Sequence, residues 1–189
     1  MIRKLVYSKF FTELMKSFFS LFYDRRYLTG KFFDEKRMGF VWCLRSLPRV
    51  AILRRQGIHF PVGRNTLVGG GKIDLDPSSL NVMQQPGCYF QAYGHLKIGK
   101  DVWIAPNVGI ITTNHDPSNP ELHLPSSEIS IGDGCWIGMN SVILPGVELG
   151  EGTTVGAGSV VTKSFKQGHC VLVGSPAHML RKTNNPRLR

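Results

Sequence analysis

The chain has 189 residues, of which 42% are hydrophobic and 21 are glycine, enough for one well-buried core with an appended segment and too apolar for a disordered chain. Its formal charge of +10 would suit a nucleic-acid binder, but residues 1–57 hold 13 Lys/Arg against 4 Asp/Glu while residues 58–189 hold 10 against 9. The basicity therefore belongs to one end, as a surface rather than a groove through the protein, and a nucleic-acid partner is not expected.

The chain divides into a basic amphipathic helical segment at 1–57, a repetitive body at 58–182 and a short basic tail at 183–189. In the first segment, Ile2, Leu5, Val6, Phe10, Phe11, Leu14, Met15, Phe18, Phe19 and Phe22 follow the three-and-four spacing of an amphipathic helix. Lys9, Glu13 and Lys16 interrupt the run, so it does not read as a bilayer span of roughly 20 apolar residues, nor as a secretory signal. Its Phe/Leu face and basic flanks suit either a peripheral contact with a membrane interface or packing on the body or a neighbouring subunit. Ser46-Leu47-Pro48 marks a turn or helix end, because the residue before proline avoids the helical region.

The body keeps a six-residue beat. From 131 it reads IGDGCW, IGMNSV, ILPGVE, LGEGTT, VGAGSV, VTKSFK, and each unit opens on an aliphatic residue. IGKDVW, IAPNVG and a unit opening at Ile110 come before, preceded by the less regular LVGGGK and IDLDPS. A helix of 3.6 residues per turn would scatter these aliphatics around its cylinder. Short strands joined by sharp corners place every one inward, with glycine or asparagine at the positive-φ corners, and stacked coils then form a parallel β-helix. The four cysteines, Cys43, Cys88, Cys135 and Cys170, stand far apart without a CxxC pair and read as reduced thiols.

The beat stops once, in GIITTNHDPSNPELHLPSSEISI, between Ile110 and Ile131. The spacing predicts a loop protruding near 113–129, opening on Asn114-His115-Asp116 and stiffened by Pro117, Pro120 and Pro125. Such an excursion leaves the prism and can meet a substrate or a neighbouring subunit.

These units, the Asn-His-Asp before the excursion and the ending GSPAHMLRK resemble the hexapeptide-repeat acyltransferases, and among them the sugar and polysaccharide O-acetyltransferases, over roughly residues 58–182. The resemblance implies an all-β, left-handed parallel β-helix, a homotrimer, and an active site in each cleft between neighbouring prisms. It implies acetyl-CoA as co-substrate, a carbohydrate hydroxyl as acceptor and no metal. It makes His115 the general base, a role that imidazole chemistry suits because an alcohol must lose its proton as it attacks. The backbone N–H of Met139 matches the family's oxyanion donor.

Trp136 reads as lining the pantetheine channel, Ala157 and Thr162 match positions along the pantetheine arm, and Lys163 and Arg181 match cations that meet coenzyme A phosphates. His178 stands where the family has Lys or Arg. Asn114, Gln85, Gln91 and Tyr93 are candidate sugar contacts, with Gln84 and His95 beside them. The basic start favours a lipid-linked or membrane-proximal glycan, such as a capsule or O-antigen precursor, and a cytoplasmic protein peripheral to the inner membrane face. N-acetylation of an amino sugar and a non-catalytic trimeric scaffold are the alternatives. A zinc hydratase on the same scaffold needs three histidines, and the eight-residue gap from His115 to His123 argues against the close pair it uses.

Overall fold

The computed structural model describes residues 8–183. Ile2, Leu5 and Val6 of the expected helical face, and the basic tail beyond Thr183, lie outside the described residues.

Helix α1 (Lys9–Phe19) starts where the Ser8 hydroxyl accepts the Phe11 N–H at 3.2 Å, satisfying one of the donors that a helix start leaves open. The helical spacing continues to Phe22, but the helix stops at Phe19. The chain turns there because Tyr23 is drawn inward, its hydroxyl donating to the Cys43 carbonyl at 2.9 Å. Helices α2 (Met38–Ser46) and α3 (Val50–Arg55) follow, separated at Leu47–Arg49 by a 3-10 turn holding Pro48. Aromatic packing holds this segment together: Phe19 stacks on Phe40, Phe33 meets Phe40 edge-on at 5.2 Å, and Tyr27 meets Phe60 at 5.0 Å. Lys31 ties it to the body through Asp101 at 2.6 Å.

Beyond residue 66 the chain winds through three sheets in turn. The first face stacks strands Leu67–Gly70, Tyr89–Ala92, Gly109–Ile111, Val142–Ile143 and Val160–Val161. The second stacks Ile73–Leu75, Leu96–Ile98, Ile129–Ile131 and Glu148–Leu149. The third stacks Trp103–Ile104, Trp136–Ile137, Thr154–Val155 and Cys170–Gly174, and closes with the antiparallel strand Ala177–Lys182. Every other pairing within these faces is parallel. Trp136 pairs with Thr154 and Val142 with Val160, each 18 residues on, so one regular coil is three six-residue units.

The unit-opening aliphatics fill the interior: Ile98, Ile104, Ile110, Ile131, Ile137, Ile143, Leu149, Val155 and Val161 are all buried, each contributing about 1.5–3 kcal/mol by leaving water. A second inward column, at the fifth position of each unit, holds Cys135, Ser141, Val147, Thr153 and Ser159. Its polar members are small enough to reach backbone: the Ser141 hydroxyl donates to the Gly156 carbonyl at 2.9 Å and the Thr153 hydroxyl to the Gly150 carbonyl at 2.7 Å. Coils stack closely at the corners, where a Cβ on Gly138 would stand 2.6 Å from the Ala157 nitrogen. Asn107 and Asn140 take the same left-handed conformation, φ 59°, one coil apart.

The interruption costs the register 15 residues: Gly109 pairs with Val142 and Trp103 with Trp136, 33 residues on instead of 18. The excursion expected as a stiffened loop near 113–129 carries an antiparallel hairpin. His115–Asp116 pairs with Asn119–His123, with His115 opposite His123. The turn forms because the Asp116 carboxylate accepts both the N–H and the hydroxyl of Ser118, at 2.8 and 2.6 Å.

Candidate active site

The hairpin leaves the corner between the first and second faces on a rigid base. Thr112 and Thr113 are buried at the departure point. The Thr113 N–H donates to the Gln91 side-chain oxygen at 2.9 Å, the Thr113 hydroxyl to the Leu124 carbonyl at 2.6 Å, and the Leu124 N–H to the Asn114 carbonyl at 2.8 Å. The Thr112 hydroxyl meets the Gln91 carbonyl at 2.9 Å and the Gly94 N–H at 3.0 Å. The first strand of the hairpin is thus pinned to the coil beneath two and three residues before His115, and the second strand is pinned to the first.

His115 itself is exposed. Its Nδ1 lies 2.6 Å from the Pro120 carbonyl oxygen, which can only accept, so in the neutral ring Nδ1 carries the proton and Nε2 holds the free lone pair. The imidazole packs on His123 across the hairpin, with ring centroids 4.2 Å apart. The eight-position offset between these two histidines therefore does not separate them in space, because a cross-strand register closes the gap. Among the described residues no group of three or more His, Cys, Asp or Glu could hold a metal with them. Hydrogen bonds from the Ser118 hydroxyl and N–H hold the Asp116 carboxyl below the ordinary carboxylate range, so it stays ionised next to His115.

The candidate residues fall on two edges. Asn114, His115, Gln91 and Tyr93 share the corner between the first and second faces, and Thr162 and Lys163 leave the same corner two coils later. The Gln91 side-chain oxygen is engaged by Thr113, so this residue positions the hairpin. Tyr93 is about half exposed. Lys163 is exposed, with its ammonium 5.8 Å from the Phe165 ring.

Met139 and Ala157 stand at the opposite edge, between the third and first faces, at the same corner position as Pro106 in the preceding coil. Both are exposed, and the Met139 N–H donates to no atom of the described residues. Gln85 belongs to this second edge, beneath Ala105, and its amide donates to the Asn81 carbonyl at 3.4 Å. Gln84 is turned inward, to the Pro61 carbonyl at 2.8 Å, and His95 pairs with Glu128 on the second face at 3.5 Å.

Trp136 projects from the third face directly over Trp103, both about half exposed. The outward row continues through Thr154 and Val171 to Arg181, and His178 sits on the same closing strand opposite Val173. The third face thus offers an indole wall ending in exposed cations, which suits an apolar arm carrying phosphates. Among the described residues the hairpin's hydrogen bonds return to its own corner, and Met139 stands at a different one. Gln91, Thr112 and Thr113 were the residues that sequence reasoning left without a positioning role. Their only signal is the paired threonine at the point where the beat stops.

Residues 128–163 match the family described as bacterial transferase hexapeptide (six repeats), across the units that carry the sequence resemblance. The chain is 41% identical over 104 residues to a candidate acetyltransferase of Schizosaccharomyces pombe, covering 52% of this chain and 48% of that protein. It is 39% identical over 94 residues to another of Dictyostelium discoideum, covering 48% and 41%. The chain spans about half or less of the length of these curated relatives. Among solved structures it is similar to a maltose O-acetyltransferase from Clostridium difficile 630, at 28% identity and a TM-score of 0.50, covering 92% of this chain and 87% of that one.

Proposed function

We propose that the protein is an acetyl-CoA-dependent O-acetyltransferase whose acceptor is a carbohydrate hydroxyl, with His115 as general base. The observation that carries this reading is the Nδ1 hydrogen bond of His115 to the Pro120 carbonyl, which makes Nε2 the accepting nitrogen of the neutral ring on an exposed, anchored hairpin. The similarity to a maltose O-acetyltransferase supports the choice of a sugar hydroxyl.

In the reaction, the acceptor oxygen attacks the thioester carbon as Nε2 takes its proton. The carbonyl oxygen becomes an oxyanion facing the Met139 N–H. The C–S bond then breaks, the acetyl group stays on the sugar, and the proton passes from imidazole to the leaving thiolate, giving free coenzyme A. Trp136 and Ala157 flank the pantetheine arm, while Lys163, His178 and Arg181 meet the phosphates. Asn114 and Tyr93 face the sugar.

His115 and Met139 leave opposite corners of one prism, so a complete site takes one from each of two neighbouring chains. We infer a homotrimer of left-handed β-helices with three such clefts. We further infer that the acceptor is a surface glycan or its lipid-linked precursor, acetylated at the inner face of the cytoplasmic membrane.

The test is release of free thiol from acetyl-CoA in the presence of purified glycans, with the product read by mass spectrometry. His115→Ala is expected to lower kcat by about 10²–10⁴-fold while coenzyme A binding, read by calorimetry, persists. Near-normal turnover in that variant would remove the assignment, and failure of the wild type to bind coenzyme A would remove the activity.

A further inference from the structure

Helix α1 packs on the rest of the N-terminal segment, through Asp34 and Phe40, the wrong way round for a helix that faces only water. Its inward face carries Thr12 and Lys16, 4% and 7% exposed, beside Phe19. Its outward face carries Phe10, Leu14 and Phe18, exposed by 78%, 55% and 49%. The buried ammonium is held by Asp34 at 2.5 Å and Glu13 at 3.1 Å, so the orientation is built in and not a loose docking. Burying a cation while leaving three large apolar side chains in water is the reverse of ordinary sorting.

The apolar surface extends onto α2. Val41 and Leu44, 45% and 62% exposed, join Phe11, Leu14, Met15 and Phe18 around an open hollow of about 660 Å³. Leu44 also borders a second hollow, whose other walls are Arg45, Pro48, Arg49 and Arg64. One continuous face therefore runs from apolar to strongly basic. Three of the four acids of this segment are engaged by their own neighbours: Glu13 and Asp34 by Lys16, Glu13 also by Arg25, Asp34 by the Gly30 N–H, and Asp24 by Arg26 at 3.9 Å. Arg45 and Arg64 remain exposed at the rim.

The occupant must supply both hydrocarbon and negative charge. A second copy of this chain would bring the same basic rim against itself, and like charges across an interface oppose docking. No described helix is long and apolar enough to cross a membrane, so the face can lie on a bilayer but not span it. We propose that the α1–α2 face seats on an anionic phospholipid surface, with Phe10, Leu14, Phe18 and Leu44 entering the headgroup boundary and Arg45 and Arg64 meeting lipid phosphates. This rests on the helix orientation and the charge of the rim, and is independent of the acetyl-transfer reading.

The test is co-sedimentation of the full chain with vesicles of phosphatidylcholine alone, or with one-third phosphatidylglycerol, at about 0.1 and 1 M salt. Partitioning onto the anionic vesicles, weakened by salt, is expected. Arg45→Gln with Arg64→Gln should lower the partition coefficient roughly 25-fold, about fivefold per charge. Leu14→Asp with Phe18→Asp should abolish binding while circular dichroism and the mass by light scattering stay unchanged, since both side chains are exposed. Absence of binding by the wild-type chain, or equal binding by the Asp variant, would overturn the proposal. So would a fall in assembly mass caused by the Asp variant, which would identify a second copy as the occupant.

Discussion

The imidazole of His115 is held from two sides, by the Pro120 carbonyl at 2.6 Å from Nδ1 and by the His123 ring at a centroid distance of 4.2 Å. The first contact selects the tautomer and the second limits the tilt of the ring. Both come from the second strand of the same short hairpin, so the ring is set by cross-strand pairing on a base that the coil holds.

If His123 orients His115, removing its ring should act on chemistry more than on binding. His123→Ala is expected to lower kcat roughly tenfold with little change in KM for acetyl-CoA, as a small misplacement of a catalytic group does. His123→Phe, which restores a flat ring, should recover most of the rate. A combined rise in KM for both substrates, with kcat unchanged, would assign His123 to the wall of the site instead.

The corner at Gly138-Met139-Asn140 repeats Ala105-Pro106-Asn107 one coil earlier, with φ 59° at both asparagines. Proline is thus compatible with that corner, and Met139→Pro removes a single N–H with little harm to the fold. Turnover is expected to fall about 10²–10³-fold. Mixed assemblies of His115→Ala and Met139→Pro chains should regain activity that neither variant has alone, because an undamaged cleft can draw His115 from one chain and Met139 from the next. Continued inactivity of the mixture would place both groups in one chain.

Lys16 and Asp34 give a contrast in stability. Lys16→Met removes a buried charge and should be near neutral, within about 1 kcal/mol, whereas Asp34→Ala leaves the ammonium without its nearer partner. With Asp34 42% exposed, solvent screening reduces that cost to about 1–2 kcal/mol, read as a drop in urea midpoint. Equal destabilisation by both variants would contradict this account.

Alkaline pH should weaken the fold. Burial pushes the Cys135 thiol and the Tyr23 and Tyr27 phenols up to about 12, and raises Cys43, Cys88 and Cys170 as well. A raised folded-state value means the native protein holds protons that the unfolded chain gives up. The associated stability is therefore intact below the unfolded thiol value of about 8.5 and declines as pH climbs from there towards 12. Thermal melts between pH 8 and 11 should show a falling Tm, and a thiol reagent at pH 8 should leave all four cysteines unmodified until the protein is unfolded.

The six-residue beat of aliphatics made the coiled body legible, because each opener points to one shared interior whatever lies outside. Ile131, Ile137 and Ile143 could be read inward from spacing alone. The same spacing was silent on Ser141 and Ser159, whose burial depends on the next coil supplying a backbone partner. The break in the beat marked where His115 departs, but the hairpin, its Asp116-Ser118 turn and the proximity of His123 follow from pairing between strands. Gln91 reads as a sugar contact because it is polar and falls in the irregular coil before Ile98, yet its oxygen is taken by a residue 22 positions on.

By itself the sequence determined that there is a repeating core, where it is interrupted, and which end is basic, since these depend on local period and composition. Only the tertiary structure decided which edge each candidate residue occupies, which nitrogen of the neutral His115 ring is free, and which face of α1 is buried. Those are contacts between residues distant in the chain, and periodicity gives a side chain's direction without naming what it will meet.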